Sequence, residues 1–180
     1  MNKDEAFRFL AEHQPMPDFP DHSLMNRFKA TTMALYNEKD EACIPLYLNS
    51  FGEWEDLTIY DSIQTVLRGF PQKSVVPHLI LAMSSKNRNI MYWCADTARY
   101  FPDKSLIPCL ASLMEDPVID VRLAGAAALE QVNRGNQSDE IRAMAAQRHC
   151  METDEDILEV LESILADYAR PISRHRPRSA

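Results

Sequence analysis

The sequence predicts an all-α fold in which antiparallel helix pairs stack into a short α-α superhelix. The first observation is a doubled phrase: "RGFPQKSVVPHL" begins at Arg68, and "RYFPDKSLIPCL" begins at Arg99, 31 positions later. Periods of this length are typical of solenoids built from helix pairs. The second observation is that only 4 of the 180 residues are glycine, which leaves little material for the hairpin turns of a β fold.

Two helices are expected at the N-terminus, over about residues 2–13 and 23–36, joined by the proline-rich loop "QPMPDFPDH". We interpret residues 1–40 as a helical cap, because the terminal units of a solenoid must present a polar outer face. The weaker phrase "ACIPLYL" then places Pro45 near the repeat position of Pro77. It marks the first repeat of a region that we assign to residues 41–169.

The doubled phrase predicts the start of the first helix of each repeat, which we call helix A. Helix A is expected over about residues 74–85 and 105–115, with Ser74 and Ser105 as N-caps. Pro77 is expected in the first turn, where a missing N–H costs nothing because no intrahelical acceptor exists yet.

The second helix of each repeat, helix B, follows a tight turn. In "EDPVID", Pro117 cannot continue helix A, and Asp120 is the expected N-cap of helix B. Ser138 and Thr153 are the expected N-caps of a further helix pair near the C-terminus. Small and apolar residues follow one stripe of helix B and permit close packing: Val121, Gly125, Ala128, Leu129 and Val132.

Cysteines and histidines show no metal-binding spacing. Cys43, Cys94, Cys109 and Cys150 are far apart and lie in or next to apolar helical patterns, so we expect buried free thiols rather than disulfides. The five histidines do not fall into ligand spacing with them. We therefore expect no metal, no cofactor and no catalytic residue.

The charge of the chain is unevenly distributed. The net charge is −8, from 19 Lys and Arg against 27 Asp and Glu. Arg174, Arg176 and Arg178 lie near the end, and we interpret residues 170–180 as a basic, disordered tail. Residues 1–170 carry 16 basic and 27 acidic groups, a balance of −11. Because an acidic body repels phosphates, we do not expect a nucleic-acid partner.

The chain shows no sign of a membrane location. No apolar run approaches the roughly 20 residues that a bilayer-spanning helix needs. The N-terminus "MNKDEAFRFLAEHQ" lacks the basic-then-apolar layout of a secretory signal. A cytoplasmic protein without a membrane partner is therefore the expectation.

The stretch "LMEDPVIDVRLAGAAALEQV", which begins at Leu113, resembles the HEAT-like repeat, in the short version of about thirty residues seen in the phycobilin-lyase-type group. The family pattern has a helix start with proline, an Asp-Pro turn, Asp-Val-Arg and a run of alanines. It is filled by Pro108, Leu110, Asp116, Pro117, Asp120, Val121, Arg122, Ala128 and Leu129. The resemblance implies a superhelix with helix B on its concave side. It implies no reaction, because a fold does not fix a function.

A candidate binding surface lies on helix B, beside the core stripe, where tyrosine, methionine and acidic residues recur. Aromatic anchors together with carboxylates suit a protein-binding hot spot. We predict that the partner-binding residues are Tyr60, Asp61, Met91, Tyr92, Asp96, Tyr100, Leu123, Glu159 and Glu162. Two alternatives remain: the tyrosines pack between adjacent repeats, and the two glutamates belong to an ordinary solvated helix face.

The sequence thus predicts a non-catalytic protein-interaction module. In its sharper form it is an intracellular inhibitor or immunity-type protein that binds a basic protein through an acidic concave face. A small-molecule partner is not expected. The alternative is an enzyme-associated HEAT-like protein, either of the phycobilin-lyase type, which implies a tetrapyrrole, or a DNA glycosylase. Tyr92, Trp93 and Asp96 offer a loose parallel to the glycosylase site, but those proteins need a basic groove.

Overall fold

A computed structural model describes residues 2–17, 20–52 and 57–166. Across these residues the regular structure consists of ten α-helices and two short 3-10 turns, without a strand. The expected tail at residues 170–180 lies outside the described residues. The helices are α1 (Lys3–Glu12), α2 (His22–Glu38), α3 (Ile44–Asn49), α4 (Leu57–Leu67), α5 (Gln72–Met83), α6 (Arg88–Ala98), α7 (Ile107–Leu113), α8 (Ile119–Asn136), α9 (Asp139–His149) and α10 (Glu155–Ala166).

Neighbouring helices pack in pairs, which confirms the all-α fold and the α-α superhelix. Helix α5 packs on α6, α7 on α8, and α9 on α10, so each pair is one repeat with its A and B helices. The B helices also pack on one another, α6 on α8 and α8 on α10. At the N-terminal end, α1 packs on α2 and α3, and α2 packs on α4. Helices α1 and α2 therefore cover the first repeat.

Helix α5 begins two residues earlier than predicted. Gln72 is its first residue, and Pro71, with φ of −60°, is its N-cap. Ser74 therefore lies inside the helix, where its hydroxyl donates a 2.7 Å hydrogen bond to Glu41. The prediction that Ser74 caps this helix is wrong, and Pro77 lies beyond the first turn. The reason is that the fixed φ of Pro71 already suits a helix start.

Aspartates replace the predicted caps in the next repeat. The carboxylate of Asp103 accepts a 2.9 Å hydrogen bond from the backbone N–H of Ser105, so Ser105 is not the cap of this helix start. Asp116 likewise accepts a 2.9 Å bond from the N–H of Val118, the N-cap of α8, and Asp120 falls in the first turn instead. The first prediction is wrong because Asp103 begins the helical turn two residues before Ser105. The second is wrong because α8 begins at Ile119, which leaves Asp120 inside the helix.

The last helix pair follows the prediction in one cap and departs from it in the other. Ser138 caps α9 as predicted, since its hydroxyl accepts from the N–H of Ile141 at 3.4 Å. In α10 the carboxylate of Asp154 accepts from the N–H of Ile157 at 3.2 Å. Asp154 thus takes the role that was predicted for Thr153.

Burial of the cysteines differs along the chain. All four thiols are free, as expected. Cys43 and Cys94 are buried, and burial raises the pKa of the Cys43 thiol to about 12. Cys109 is half-buried, however, and Cys150 is exposed at the end of α9, so the expectation of burial is wrong for Cys150. Ala146, one turn earlier, and Met151 are exposed as well, so this end of α9 does not face the core.

Candidate interaction surface

We call the nine predicted partner-binding residues the B-helix face. They lie on α4, α6, α8 and α10, except for Tyr100, which follows the end of α6. Packing of α6 on α8 and of α8 on α10 makes the positions on these helices neighbours. Helix α4 joins them through Gln64, which reaches Asp96 of α6.

Tyr60 is fully buried, which corrects its assignment to the B-helix face. Its ring lies 4.7 Å from the ring of Trp93 and 5.4 Å from that of Phe51. Its hydroxyl oxygen accepts a 2.9 Å hydrogen bond from the N–H of Gly52. Tyr60 therefore packs between the first two repeats, as the alternative interpretation held, and has no surface to offer a partner.

Both carboxylate oxygens of Asp96 are already engaged. Gln64, which is buried, donates a 2.7 Å hydrogen bond to one oxygen, and Arg99 donates a 2.9 Å bond to the other. Neither partner was predicted from the sequence. Arg99 could have been, since it has the i,i+3 spacing of a helical ion pair, whereas the Gln64 contact depends on how α4 packs near α6. Asp96 is therefore a charge-paired residue that joins α4 to α6, and not an isolated carboxylate.

Tyr92 and Met91 are half-buried on α6. The Tyr92 ring meets the ring of Trp93 edge-on, with centroids 5.1 Å apart. Burial raises the pKa of the Tyr92 phenol, and the carboxylates of Asp96 and Asp120 raise it further. The phenol therefore stays protonated at neutral pH and remains able to donate a hydrogen bond.

Arginines share the α4–α6 part of this surface. Tyr100 is 45% exposed, and the guanidinium of Arg68 lies 4.6 Å from the centre of its ring. This distance is within the range of a cation–π contact. Arg68 and Arg99 therefore offset the acidic character that was predicted here.

Acidic side chains dominate the α10 part instead. Glu159 and Glu162 are exposed, and Leu123 of α8 is half-buried. The sequence of α10, "EDILEVLESILA", contains four acidic residues and no lysine or arginine. Within the described residues, the one side chain that pairs with an acidic group of this helix is His149, whose Nε2 lies 3.3 Å from Glu162. The surface thus has a mixed part on α4 and α6 and an acidic part on α10.

Asp61 lies apart from these groups, at the edge of a groove. It is exposed on α4 and lines a cavity of about 460 Å³ between α2 and α4. The cap helix α2 supplies the other wall. No pattern in the sequence indicated this groove, because it depends on how the cap packs against the first repeat.

Residues 106–136 match the model of the HEAT repeat. The matched segment spans the whole of α7, the turn and the whole of α8. The chain is a HEAT-like repeat protein. The match is to the general HEAT repeat, and membership of the phycobilin-lyase-type subgroup stays an expectation. A search of curated proteins found no match to the chain. HEAT repeats commonly mediate protein interactions, which suggests an interaction or scaffold role.

The motif residues of this HEAT-like repeat hold its A–B turn together. One guanidinium nitrogen of Arg122 donates to the carbonyls of Asp116 and Pro117, at 3.0 and 3.2 Å. The other two donate to the carboxylate of Glu152 in the next turn, at 3.0 and 3.1 Å. Arg148 adds a 2.8 Å bond to the same carboxylate.

Glu152 is therefore a buried carboxylate between two arginines. Burial alone would raise the pKa of Glu152. Hydrogen bonds from Arg122 and Arg148 and from two backbone N–H groups outweigh burial and lower the pKa to about 2. An ion-paired network thus joins the turn between α7 and α8 to the turn between α9 and α10.

The described residues contain neither a metal-binding cluster nor a membrane-spanning helix. No cluster of three His, Cys, Asp or Glu side chains within them has the geometry to hold a metal ion. No helix in the described ranges is both long and apolar enough to cross a membrane.

Proposed function

We propose that this HEAT-like protein is a non-catalytic binding protein that recognises a basic protein, in the manner of an inhibitor or immunity-type protein. The observation that carries the proposal is the charge of α10. Its exposed charged side chains, Glu155, Asp156, Glu159 and Glu162, are all acidic. Among the described residues, Glu162 alone of these has a partner, His149, and exposed carboxylates clustered on one helix attract a cationic partner and accelerate its association.

Apolar side chains next to these carboxylates supply the rest of an interface. Leu123, Met91 and Tyr92 are half-buried on the neighbouring B helices, so each keeps some surface for contact. An interface needs such partly desolvated apolar and aromatic contacts inside a polar rim. The B-helix face from α6 to α10 therefore combines both elements, although the carboxylate of Asp96 on α6 is already paired with Arg99.

Affinity capture of the tagged protein from its own cells, at low and moderate salt, tests the proposal. We expect one basic protein to be retained in stoichiometric amount and to be lost as the salt concentration rises, because salt screens exposed charges. The double variant Glu159→Gln/Glu162→Gln should retain much less of it.

A control variant removes the same charge elsewhere. Glu12 and Glu38 are exposed at the C-terminal ends of α1 and α2, far along the chain from α10. Glu12→Gln/Glu38→Gln should capture the partner as the wild type does. Retention of a pigment or a nucleic acid in place of a basic protein would count against the proposal.

A further inference from the structure

The groove between α2 and α4 has the features of an anchor pocket. Its volume of about 460 Å³ lies within the range of preformed binding pockets. Met33, Tyr36 and Val66 give it an apolar lining, and Met33 is 59% exposed. Large side chains with this much free apolar surface mark a place where a partner gains from burial.

A buried hydroxyl group indicates what kind of ligand fits. Thr32 lines the groove and is 3% exposed, yet its hydroxyl oxygen has no hydrogen-bond partner among the described residues. Its backbone carbonyl is occupied, since it accepts from the hydroxyl of Tyr47 at 3.3 Å. A buried hydroxyl without a partner costs free energy, so a ligand with a hydrogen-bonding group would gain by supplying one.

Each rim of the groove carries one charged side chain. Asp61 lies on the α4 side and Lys29 on the α2 side, and both are exposed. Asp61 is also the α4 end of the B-helix face, so a partner that spans this face from α10 to α4 would reach the groove. A basic residue of that partner would lie favourably beside Asp61.

We propose that the α2–α4 groove receives a tryptophan or tyrosine side chain of the basic protein partner, and this inference rests on the proposed function. The ring fills the apolar groove over Met33 and Val66. Because that oxygen is buried, the Thr32 side chain rotates towards the groove on binding, and the N–H or O–H of the ring donates to its hydroxyl. Tryptophan and tyrosine are the residues that most often serve as buried interface anchors, because they combine a large apolar area with one polar group.

The first test is an NMR titration of the full chain with N-acetyl-L-tryptophanamide, which carries the indole ring without the charges of free tryptophan. We expect saturable shifts of backbone amides that are confined to α2 and α4. Thr65, exposed on α4, lines the groove, so Thr65→Trp should fill it and abolish the titration. Ser112→Trp places the same ring on the exposed side of α7 and should titrate as the wild type.

Three results of this titration would overturn the proposal. They are the absence of a saturable shift up to the solubility limit of the probe, shifts spread over the other helices, and an unchanged titration in Thr65→Trp. Because Thr65 is exposed, its substitution leaves the buried core in place.

The variant Thr32→Val tests the hydrogen bond, since valine has nearly the same shape but no hydroxyl. We expect the probe to bind about fivefold more weakly, the factor that corresponds to one lost hydrogen bond. The same probe methylated on the indole nitrogen has no N–H and should bind the variant and the wild type equally. Equal weakening of both probes would contradict the assigned hydrogen bond.

Failure of this inference is distinguishable from failure of the proposed function. Glu159→Gln/Glu162→Gln should bind the probe normally, because its substitutions lie on α10. If a basic protein is captured but Thr65→Trp captures it as well as Ser112→Trp does, the anchor inference alone fails. If the probe binds the groove and no basic protein is captured, the proposed function fails and the occupant assigned here fails with it.

Discussion

Among single residues, Glu152 shows how the repeats are joined. Its side chain is 2% exposed and lies between the guanidinium groups of Arg122 and Arg148. Two backbone N–H groups, those of Thr153 and Asp154, donate to it at 3.0 and 3.2 Å. A buried carboxylate is tolerated only when it is paired and hydrogen-bonded in this way.

Glu152→Gln should lower the free energy of unfolding at neutral pH by about 2 kcal/mol, because it removes one charge from a buried network and leaves two arginines underpaired. The expected loss of stability is smaller than for a fully enclosed pair, because solvent at the edge of the turn screens the charges. Urea unfolding followed by circular dichroism measures the change. Glu159→Gln, an exposed substitution of the same kind, should alter stability by less than about 0.5 kcal/mol.

Ionisation of Glu152 should also make the stability of the protein depend on pH. The pKa of Glu152 is lowered from 4.5 to about 2 in the folded protein, so the unfolded chain binds the proton first as the pH falls. The stabilisation is complete above about pH 4.5 and is lost as the pH falls through about 2. The stability difference between wild type and Glu152→Gln should therefore shrink across this window. A difference that stays constant with pH would show that ionisation of Glu152 is not its source.

Among the helices, close approach of α7 and α8 depends on Gly125. A Cβ atom at this position would lie 3.0 Å from the Cβ of Leu113 and 3.2 Å from the backbone oxygen of Leu110. The sequence analysis expected this contact, because Gly125 lies on the small-residue stripe of helix B. Helix starts were less predictable: Asp103 accepts hydrogen bonds from both the N–H and the hydroxyl of Ser105, a local turn that periodicity does not reveal.

Gly125→Ala should destabilise the protein by about 1 kcal/mol. Overpacking against the fixed backbone of α7 costs about 1–3 kcal/mol, and the better helix propensity of alanine offsets about 1 kcal/mol of that cost. Gly135 lies in the same helix with nothing within 4 Å of an added Cβ. Gly135→Ala should therefore stabilise the protein by about 0.5–1 kcal/mol. Thermal or urea unfolding of the two variants measures both changes in stability. Equal effects of Gly125→Ala and Gly135→Ala would refute the close-contact argument.

For the whole molecule, the repeat spacing was enough to predict an all-α superhelix of helix pairs. It was not enough to predict which side chains of the B helices are free. Tyr60 and Met91 occupy related positions beside the core stripe, but Tyr60 is buried because the loop after α3 brings Phe51 and Gly52 against it. The α2–α4 groove was not predictable either, because it lies where the non-repeated cap meets the first repeat. The burial of Tyr60 and the α2–α4 groove both depend on packing between residues far apart in the sequence, which a local pattern does not reveal.

The central claim is that the acidic end of the B-helix face binds a basic protein. The most direct test is the dissociation constant of the captured partner, measured by calorimetry at several salt concentrations for three proteins: the wild type, Glu159→Gln/Glu162→Gln and the control Glu12→Gln/Glu38→Gln. We predict that the acidic-face variant binds about tenfold more weakly with a reduced salt dependence, while the control matches the wild type. Equal affinities for the two double variants would contradict the claim.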